Sequence, residues 1–132
     1  MNGQPRWILI LGDLITLIVV TAFGFATHGT LATAGARMLT TFIPMLIAWT
    51  AAAPLLGVYD PQRAKDLRQI WRPFWAAVLA APLAAWLRGI WLNQPIIPIF
   101  VLVLGGVSAA GILIWRLLYA LIASRSVLNP KT

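Results

Sequence analysis

The chain has 132 residues, of which 61% are hydrophobic and 10% are charged. Soluble domains average roughly 45 to 50% apolar and 25% charged residues, so this composition excludes an ordinary soluble globular domain. The net charge of +7 in so apolar a chain indicates contact with anionic lipid headgroups. The chain has no cysteine, which excludes disulfides, thiolate nucleophiles and cysteine-ligated metal centres.

Four apolar stretches are each long enough to cross a hydrocarbon layer of roughly 30 Å as helices. They lie at residues 7–27, 38–57, 73–91 and 96–123. The sequence therefore predicts one all-α membrane domain over residues 1–132, with four transmembrane helices in an antiparallel bundle. The alternative for the first stretch is a secretory signal peptide. We favour a retained span, because the stretch exceeds the usual signal core and carries Asp13.

The distribution of basic residues predicts the orientation of the spans, because Lys and Arg in short loops remain on the cytoplasmic side. Two basic residues, Arg37 and Arg88, fall on one side of the predicted spans. Seven fall on the other: Arg6, Arg63, Lys65, Arg68, Arg72, Arg125 and Lys131. We expect a multi-pass protein of the inner (cytoplasmic) membrane with both termini in the cytoplasm. This asymmetric distribution of basic residues is explained by membrane topology and lipid contact, so it argues against a nucleic-acid partner.

The cytoplasmic connector at residues 58–72 contains a helix start, because Asp60 is a good N-cap and Pro61 suits the first helical position. A short amphipathic helix is predicted there, lying in the membrane interface and contacting anionic lipid. The alternative is a solvated loop with the positive charge typical of the cytoplasmic side. The predicted lipid-contacting residues are Arg63, Lys65, Arg68, Trp71 and Arg72.

Two charged residues lie inside the predicted spans at similar depth. Asp13 is about 9 Å below the interface at Trp7, and Arg116 is at a comparable distance from the cytoplasmic end of the fourth span. An ionised group at this depth usually finds a partner, so we predict an intramembrane ion pair between them. The alternative is that Arg116 snorkels to the surface while Asp13 bonds to Thr16 or water.

A second group of polar residues is predicted at the outer surface: His28, Arg37 and Arg88. Such a cluster suits an anionic headgroup or the carboxylate of a partner protein. In the alternative, Arg88 simply snorkels outward. His28 is the only histidine, and a metal site normally needs three or four ligands, so no metal site is expected.

Small residues are concentrated in the fourth span, including Gly105, Gly106, Ala109 and Gly111. Small residues four apart let helices approach closely. We expect this stretch to be wide enough for both a contact within the chain and an external contact, with another membrane subunit or a second copy.

Short motifs along the chain resemble a bacterial and archaeal family of small four-span membrane proteins known only as a domain of unknown function. They are Gly12-Asp13, His28-Gly29, Pro44, Pro54-Leu-Leu-Gly57, Arg88 and Trp115-Arg116. Such families often carry an arginine just before the His-Gly pair, where this chain has Ala26-Thr27. The resemblance implies a four-helix membrane architecture and no particular activity.

The sequence contains no catalytic motif, and its three acidic residues leave little capacity for acid-base chemistry, so no enzyme and no catalytic residue are expected. The favoured function is an accessory or structural subunit of a larger membrane assembly, such as one carrying pigment, quinone or haem. No intrinsic cofactor is expected, although lipid, pigment or quinone would fit a groove. The alternative is a small oligomeric transporter or channel that uses Asp13 and the second span, where Pro44 and Pro54 are predicted to introduce kinks.

Overall fold

The computed structural model describes residues 6–27 and 35–128. Within these ranges the regular structure is helical, with no strand. Two 3₁₀ turns accompany the α-helices, at Gly35–Met38 and Leu67–Gln69. The α-helices are α1 (Arg6–Thr27), α2 (Leu39–Leu55), α3 (Pro61–Ala64), α4 (Trp71–Leu92) and α5 (Pro98–Leu128).

Three segments are long and apolar enough to cross a membrane. They are Arg6–Gly24 and Pro98–Arg125, each with a mean hydropathy of 2.2, and Leu67–Leu92, with a mean hydropathy of 1.4. The fourth apolar helix, α2, is shorter, at 17 residues. The expected all-helical fold with membrane-length helices is therefore confirmed in the described part of the chain.

The four long helices pack in a closed ring in which α1 contacts α2, α2 contacts α4, α4 contacts α5 and α5 contacts α1. The inner face of α4 is built from alanines, which allow close approach of the neighbouring helix backbones. These buried residues are Ala76, Ala77, Ala80, Ala81, Ala84 and Ala85. Gly105 of α5 faces this surface, since a β-carbon on Gly105 would lie 3.1 Å from Cβ of Ala81.

Pro44 and Pro54, which are predicted to kink the second span, lie inside the continuous helix α2, and Pro82 lies inside α4. Beyond Leu55 the chain turns sharply at Gly57, whose φ of +68° is accessible to glycine at little cost. The turn is closed by hydrogen bonds from the Gly57 and Val58 amides to the carbonyls of Pro54 and Ala53. It brings Val58 into the protein interior, where that residue is buried.

The connector does not form the single amphipathic helix that the sequence predicts. Asp60 caps α3 by accepting a hydrogen bond from the Gln62 amide, with Pro61 at the first helical position, as expected. The helix ends after one turn, because Asp66 accepts a hydrogen bond from the Arg68 amide and starts the 3₁₀ turn. Two capped turns therefore replace one helix, and the basic residues do not share a common helical face.

Candidate functional site

The structure brings Asp13 of α1 and Arg116 of α5 into direct contact. Arg116 donates from Nε to Oδ1 of Asp13 at 2.8 Å and from Nη2 to Oδ2 at 2.6 Å. Each side chain is only 2% exposed. The arrangement is a bidentate, fully buried ion pair, the geometry in which a guanidinium binds a carboxylate most strongly.

Two further groups complete the hydrogen bonding of this pair. The indole Nε1 of Trp115 donates to Oδ1 of Asp13 at 3.0 Å, and Nη1 of Arg116 donates to the carbonyl oxygen of Val58 at 2.9 Å. All three guanidinium nitrogens of Arg116 are therefore engaged, and the carboxylate accepts three hydrogen bonds. A buried charge costs least when its polar atoms are satisfied in this way.

Tyr59 and Trp49 extend the network towards α2. The guanidinium carbon of Arg116 lies 5.7 Å from the centroid of the Tyr59 ring. Trp49, itself 2% exposed, donates from Nε1 to the Tyr59 hydroxyl at 2.7 Å. Burial, followed by the negative charge of Asp13, raises the pKa of Tyr59 to about 12. We call Asp13, Trp49, Val58, Tyr59, Trp115 and Arg116 the charge network.

Two glycines make this geometry possible. A β-carbon on Gly12 would collide with the six-membered ring of Trp115, so the absence of a side chain there lets the indole reach Asp13. The turn at Gly57 directs the Val58 carbonyl towards Arg116. The charge network thus connects α1, α5 and the end of α2 through contacts that depend on small residues at defined positions.

The predicted outer cluster is only partly covered by the structure. His28 lies outside the described residues, and Arg37 is exposed in the 3₁₀ turn before α2. The guanidinium carbon of Arg88 lies 4.9 Å from the Phe100 ring centroid, a cation–π contact between α4 and α5. Its Nε is buried and donates a hydrogen bond to no protein group in the described part of the chain.

The small residues of α5 divide between two faces. Gly105, Ala109 and Gly111 face neighbouring helices: Gly105 lies against Ala81, Ala109 is buried, and a β-carbon on Gly111 would come within 2.7 Å of Cγ2 of Val20 on α1. Gly106 is exposed, and a β-carbon there would meet no atom within 4 Å. The predicted packing stretch therefore serves contacts inside the chain on one side and leaves Gly106 on the outside.

The basic residues of the connector occupy different environments. Arg72 donates from Nε to Oε1 of Gln69 at 2.6 Å and from Nη1 to the Leu56 carbonyl at 2.9 Å, and its guanidinium carbon lies 4.6 Å from the Trp71 ring centroid. Arg63 forms an exposed ion pair with Asp60 at 3.6 Å. The Lys65 carbonyl accepts a hydrogen bond from Ser124 of α5, and Arg68 is exposed.

Four members of the charge network were not expected from the sequence: Trp49, Tyr59, Trp115 and the Val58 carbonyl. Trp115 directly precedes Arg116, and consecutive residues of a helix point in directions about 100° apart. Both side chains can reach Asp13 only if α5 is rotated about its axis so that Asp13 lies between these two directions. The Val58 carbonyl and Tyr59 depend on the path of a turn. Among the described residues, no cluster of three or more His, Asp or Glu side chains is placed to hold a metal ion.

The chain matches the family model DUF3054, a protein family of unknown function, over residues 10–119. No curated protein and no solved structure matches the chain. The matched region includes the charge network and all four long helices in whole or in part. Because it covers most of the sequence, the chain belongs to the DUF3054 family, and the resemblance seen in the sequence motifs is confirmed.

Proposed function

We propose that this protein is a non-enzymatic accessory or structural subunit that packs against a larger membrane protein assembly, such as one carrying pigment, quinone or haem. The observation that carries the proposal is the charge network. The carboxylate of Asp13 and the guanidinium of Arg116 bind each other, with every Arg116 nitrogen engaged. Charged groups used in this way fasten helices together and leave no unpaired group in the pair for acid-base or transport chemistry.

The proposal includes four membrane spans in an antiparallel bundle. At about 1.5 Å per residue, the 17 residues of α2 extend about 26 Å, slightly less than the hydrocarbon core of roughly 30 Å. The 3₁₀ turn Gly35–Met38 leads into α2 and adds about 2 Å per residue. The turn and helix together are long enough to cross the membrane beside α1 and α4, which both contact α2.

The proposal also includes an inner-membrane location with both termini in the cytoplasm. Its support is the concentration of basic residues in the connector between α2 and α4, opposite Arg37. A reporter fused after Lys131 tests the orientation, with a second reporter inserted after Gly35. At the C-terminus, we expect activity only from a reporter that works in the cytoplasm. After Gly35, we expect activity only from a reporter that works outside the cytoplasm. The reverse pattern would contradict this topology.

The surface of α5 offers a contact face for another subunit. Gly106 and Ala110 are both exposed and four residues apart, so they share one outward face of the helix. Small residues at this spacing let a second transmembrane helix approach closely. Large apolar side chains, including Leu102 at 74% exposed and Ile114 at 60%, flank this face and provide packing area.

Mild-detergent purification from native membranes, with mass spectrometry of co-eluting chains and an absorption spectrum, tests the proposal. We expect stoichiometric larger subunits in the wild-type fraction. Gly106→Leu and Ala110→Leu should remove those subunits, because the bulky side chains block close helix approach. Ala51→Leu, a small exposed position on α2, is the matched control and should retain them.

A colourless homo-oligomer without other subunits would contradict the proposal. The remaining candidate would then be the small transporter or channel, and Asp13→Asn in a flux assay would examine it.

A further inference from the structure

A small pocket opens beside the turn that ends α2. Its lining includes Gly57, Val58, Arg63, Ala64, Arg72 and Arg116. Its free volume is about 10 Å³, close to that needed for one water molecule. The pocket therefore admits a single oxygen atom of a larger group whose remainder stays outside.

Two guanidinium groups meet over Gly57. The position that a β-carbon of Gly57 would occupy is blocked by Nη1 of Arg63 and lies 3.6 Å from Nη1 of Arg72. Because Gly57 has no side chain, both guanidinium groups can lie close to the position that its β-carbon would occupy. Like charges are held close together here, which is unfavourable unless an anion accompanies them.

The hydrogen bonds of these arginines position them and leave donors available. Arg72 is fixed through Nε and Nη1 by Gln69 and the Leu56 carbonyl, while in the described part of the chain no hydrogen bond engages its Nη2. Arg63 reaches Asp60 through Nε alone, so its two terminal nitrogens retain donor capacity. The third arginine in the lining, Arg116, is neutralised by Asp13.

The local charge is therefore positive. Arg63 is paired with the partly exposed carboxylate of Asp60, and in the described part of the chain no ion pair joins Arg72 to a carboxylate. Trp71 is 44% exposed beside the pocket, and Trp side chains at helix ends of membrane proteins lie at the level of the lipid headgroups. We therefore expect the available donors at the depth of the lipid phosphates.

We propose that this pocket binds a phosphate group, supplied by an anionic phospholipid of the adjacent leaflet. One phosphate oxygen enters beside Gly57, where Arg63 and Arg72 both donate to it. Guanidinium groups suit phosphate because they present several donors in one plane. The binding is independent of any protein partner and so goes beyond the proposed accessory function.

Native mass spectrometry of the full-length protein in neutral detergent, titrated with phosphatidylglycerol, tests the proposal. Neutral micelles remove the general attraction of a charged surface for basic residues. We expect one retained lipid per chain in the wild type. In Arg63→Gln the dissociation constant for the lipid should be at least ten times larger. Arg125→Gln removes the same charge from an exposed position outside the pocket and should change the constant less than twofold.

Arg72→Gln is a second variant with the same expected loss, and circular dichroism establishes that both variants remain folded. Inorganic phosphate, compared with chloride at equal ionic strength, distinguishes the two sources of the ligand. If it displaces the lipid from wild type, the pocket recognises phosphate itself, including the free ion. If it does not, the acyl chains are required as well. Equal weakening by Arg63→Gln and Arg125→Gln, or no weakening by either pocket variant, would overturn the proposal.

Discussion

Arg116 of α5 and Asp13 of α1 are 103 positions apart in the sequence, yet they join two helices by a bidentate pair of hydrogen bonds at 2.8 and 2.6 Å. Removing two charges from water is costly, and their mutual attraction offsets that cost only when the geometry and the surrounding hydrogen bonds are good. Here Trp115 and the Val58 carbonyl provide those bonds. The pair therefore fixes the position of α1 against α5 and the end of α2.

Removing the charge of Asp13 should destabilise the protein strongly. Asp13→Asn leaves the Arg116 guanidinium buried without a counter-charge, which costs about 3 to 5 kcal/mol. The free energy of unfolding, measured by denaturant titration in mixed micelles, gives the size of the loss. The matched control is Asp60→Asn, which removes an exposed charge but keeps a good N-cap residue, and it should cost at most about 1 kcal/mol. Similar losses in both variants would argue against a structural role for the buried pair.

Adding one methyl group at Gly12 should disturb the charge network without changing any charge. In Gly12→Ala the new β-carbon collides with the Trp115 ring, so the indole must move away from Asp13. Overpacking of this kind costs about 1 to 3 kcal/mol. Gly106→Ala is the control in the isolated protein, since a β-carbon there meets no atom within 4 Å. The free energy of unfolding, measured in micelles, should be lower for Gly12→Ala than for Gly106→Ala. Equal stability of the two variants would contradict the packing described for Gly12.

Tyr59 should titrate well above an ordinary tyrosine. In a Tyr119→Phe background Tyr59 is the only tyrosine, and its ionisation is followed by absorbance at 295 nm. We expect a midpoint near pH 12, because burial and the Asp13 carboxylate raise the pKa of Tyr59 to about 12. Tyr119→Phe should itself be tolerated, since the buried Tyr119 hydroxyl has no hydrogen-bond partner in the described part of the chain. A midpoint near 10 would contradict the buried environment of Tyr59.

The same titration affects stability in a defined direction. Between pH 10 and 12 an unfolded tyrosine releases its proton while folded Tyr59 keeps it, so the free energy of unfolding falls as pH rises through this window. Well below pH 10, Tyr59 is protonated in both the folded and the unfolded state and does not contribute to the pH dependence of stability. In Tyr59→Phe, the fall in the free energy of unfolding between pH 9 and pH 11 should be smaller than in the wild type. Unfolding measured at these two pH values tests this.

The length of the apolar stretches predicts the long helices well, because a bilayer-length apolar run has few alternatives to a helix. The predicted span 7–27 becomes Arg6–Thr27, and the predicted span 73–91 becomes Trp71–Leu92. The predicted span 96–123 begins two residues later, at Pro98, since the chain after α4 first turns at Asn93 with a φ of +52°. The predicted span 38–57 becomes the shorter helix Leu39–Leu55, which is not among the three segments long enough to count as membrane spans. The connector departs from its prediction as well, because Asp66 starts a second capped turn.

The ion pair is predictable from the sequence, because the predicted spans place both residues at a similar expected depth. The partners of the pair are not predictable in this way. Whether Trp115 reaches Asp13 depends on the rotation of α5 and on the missing side chain of Gly12, and the Val58 carbonyl depends on the turn at Gly57. Gly105 lies on the inner face of α5 and Gly106 on the outer face. This difference likewise depends on the rotation of the helix about its axis, which the composition of the stretch does not reveal.

The charge swap between Asp13 and Arg116 tests the central claim, that these two residues act as one structural connection between α1 and α5. Unfolding of Asp13→Arg, Arg116→Asp and the double variant in mixed micelles gives the coupling energy. We predict that the double variant is more stable than either single variant, with a coupling on the order of 2 to 3 kcal/mol. Recovery should be incomplete, because Trp115 and the Val58 carbonyl are placed for the original charges. Additive losses, with the double variant less stable than both singles, would contradict the claim.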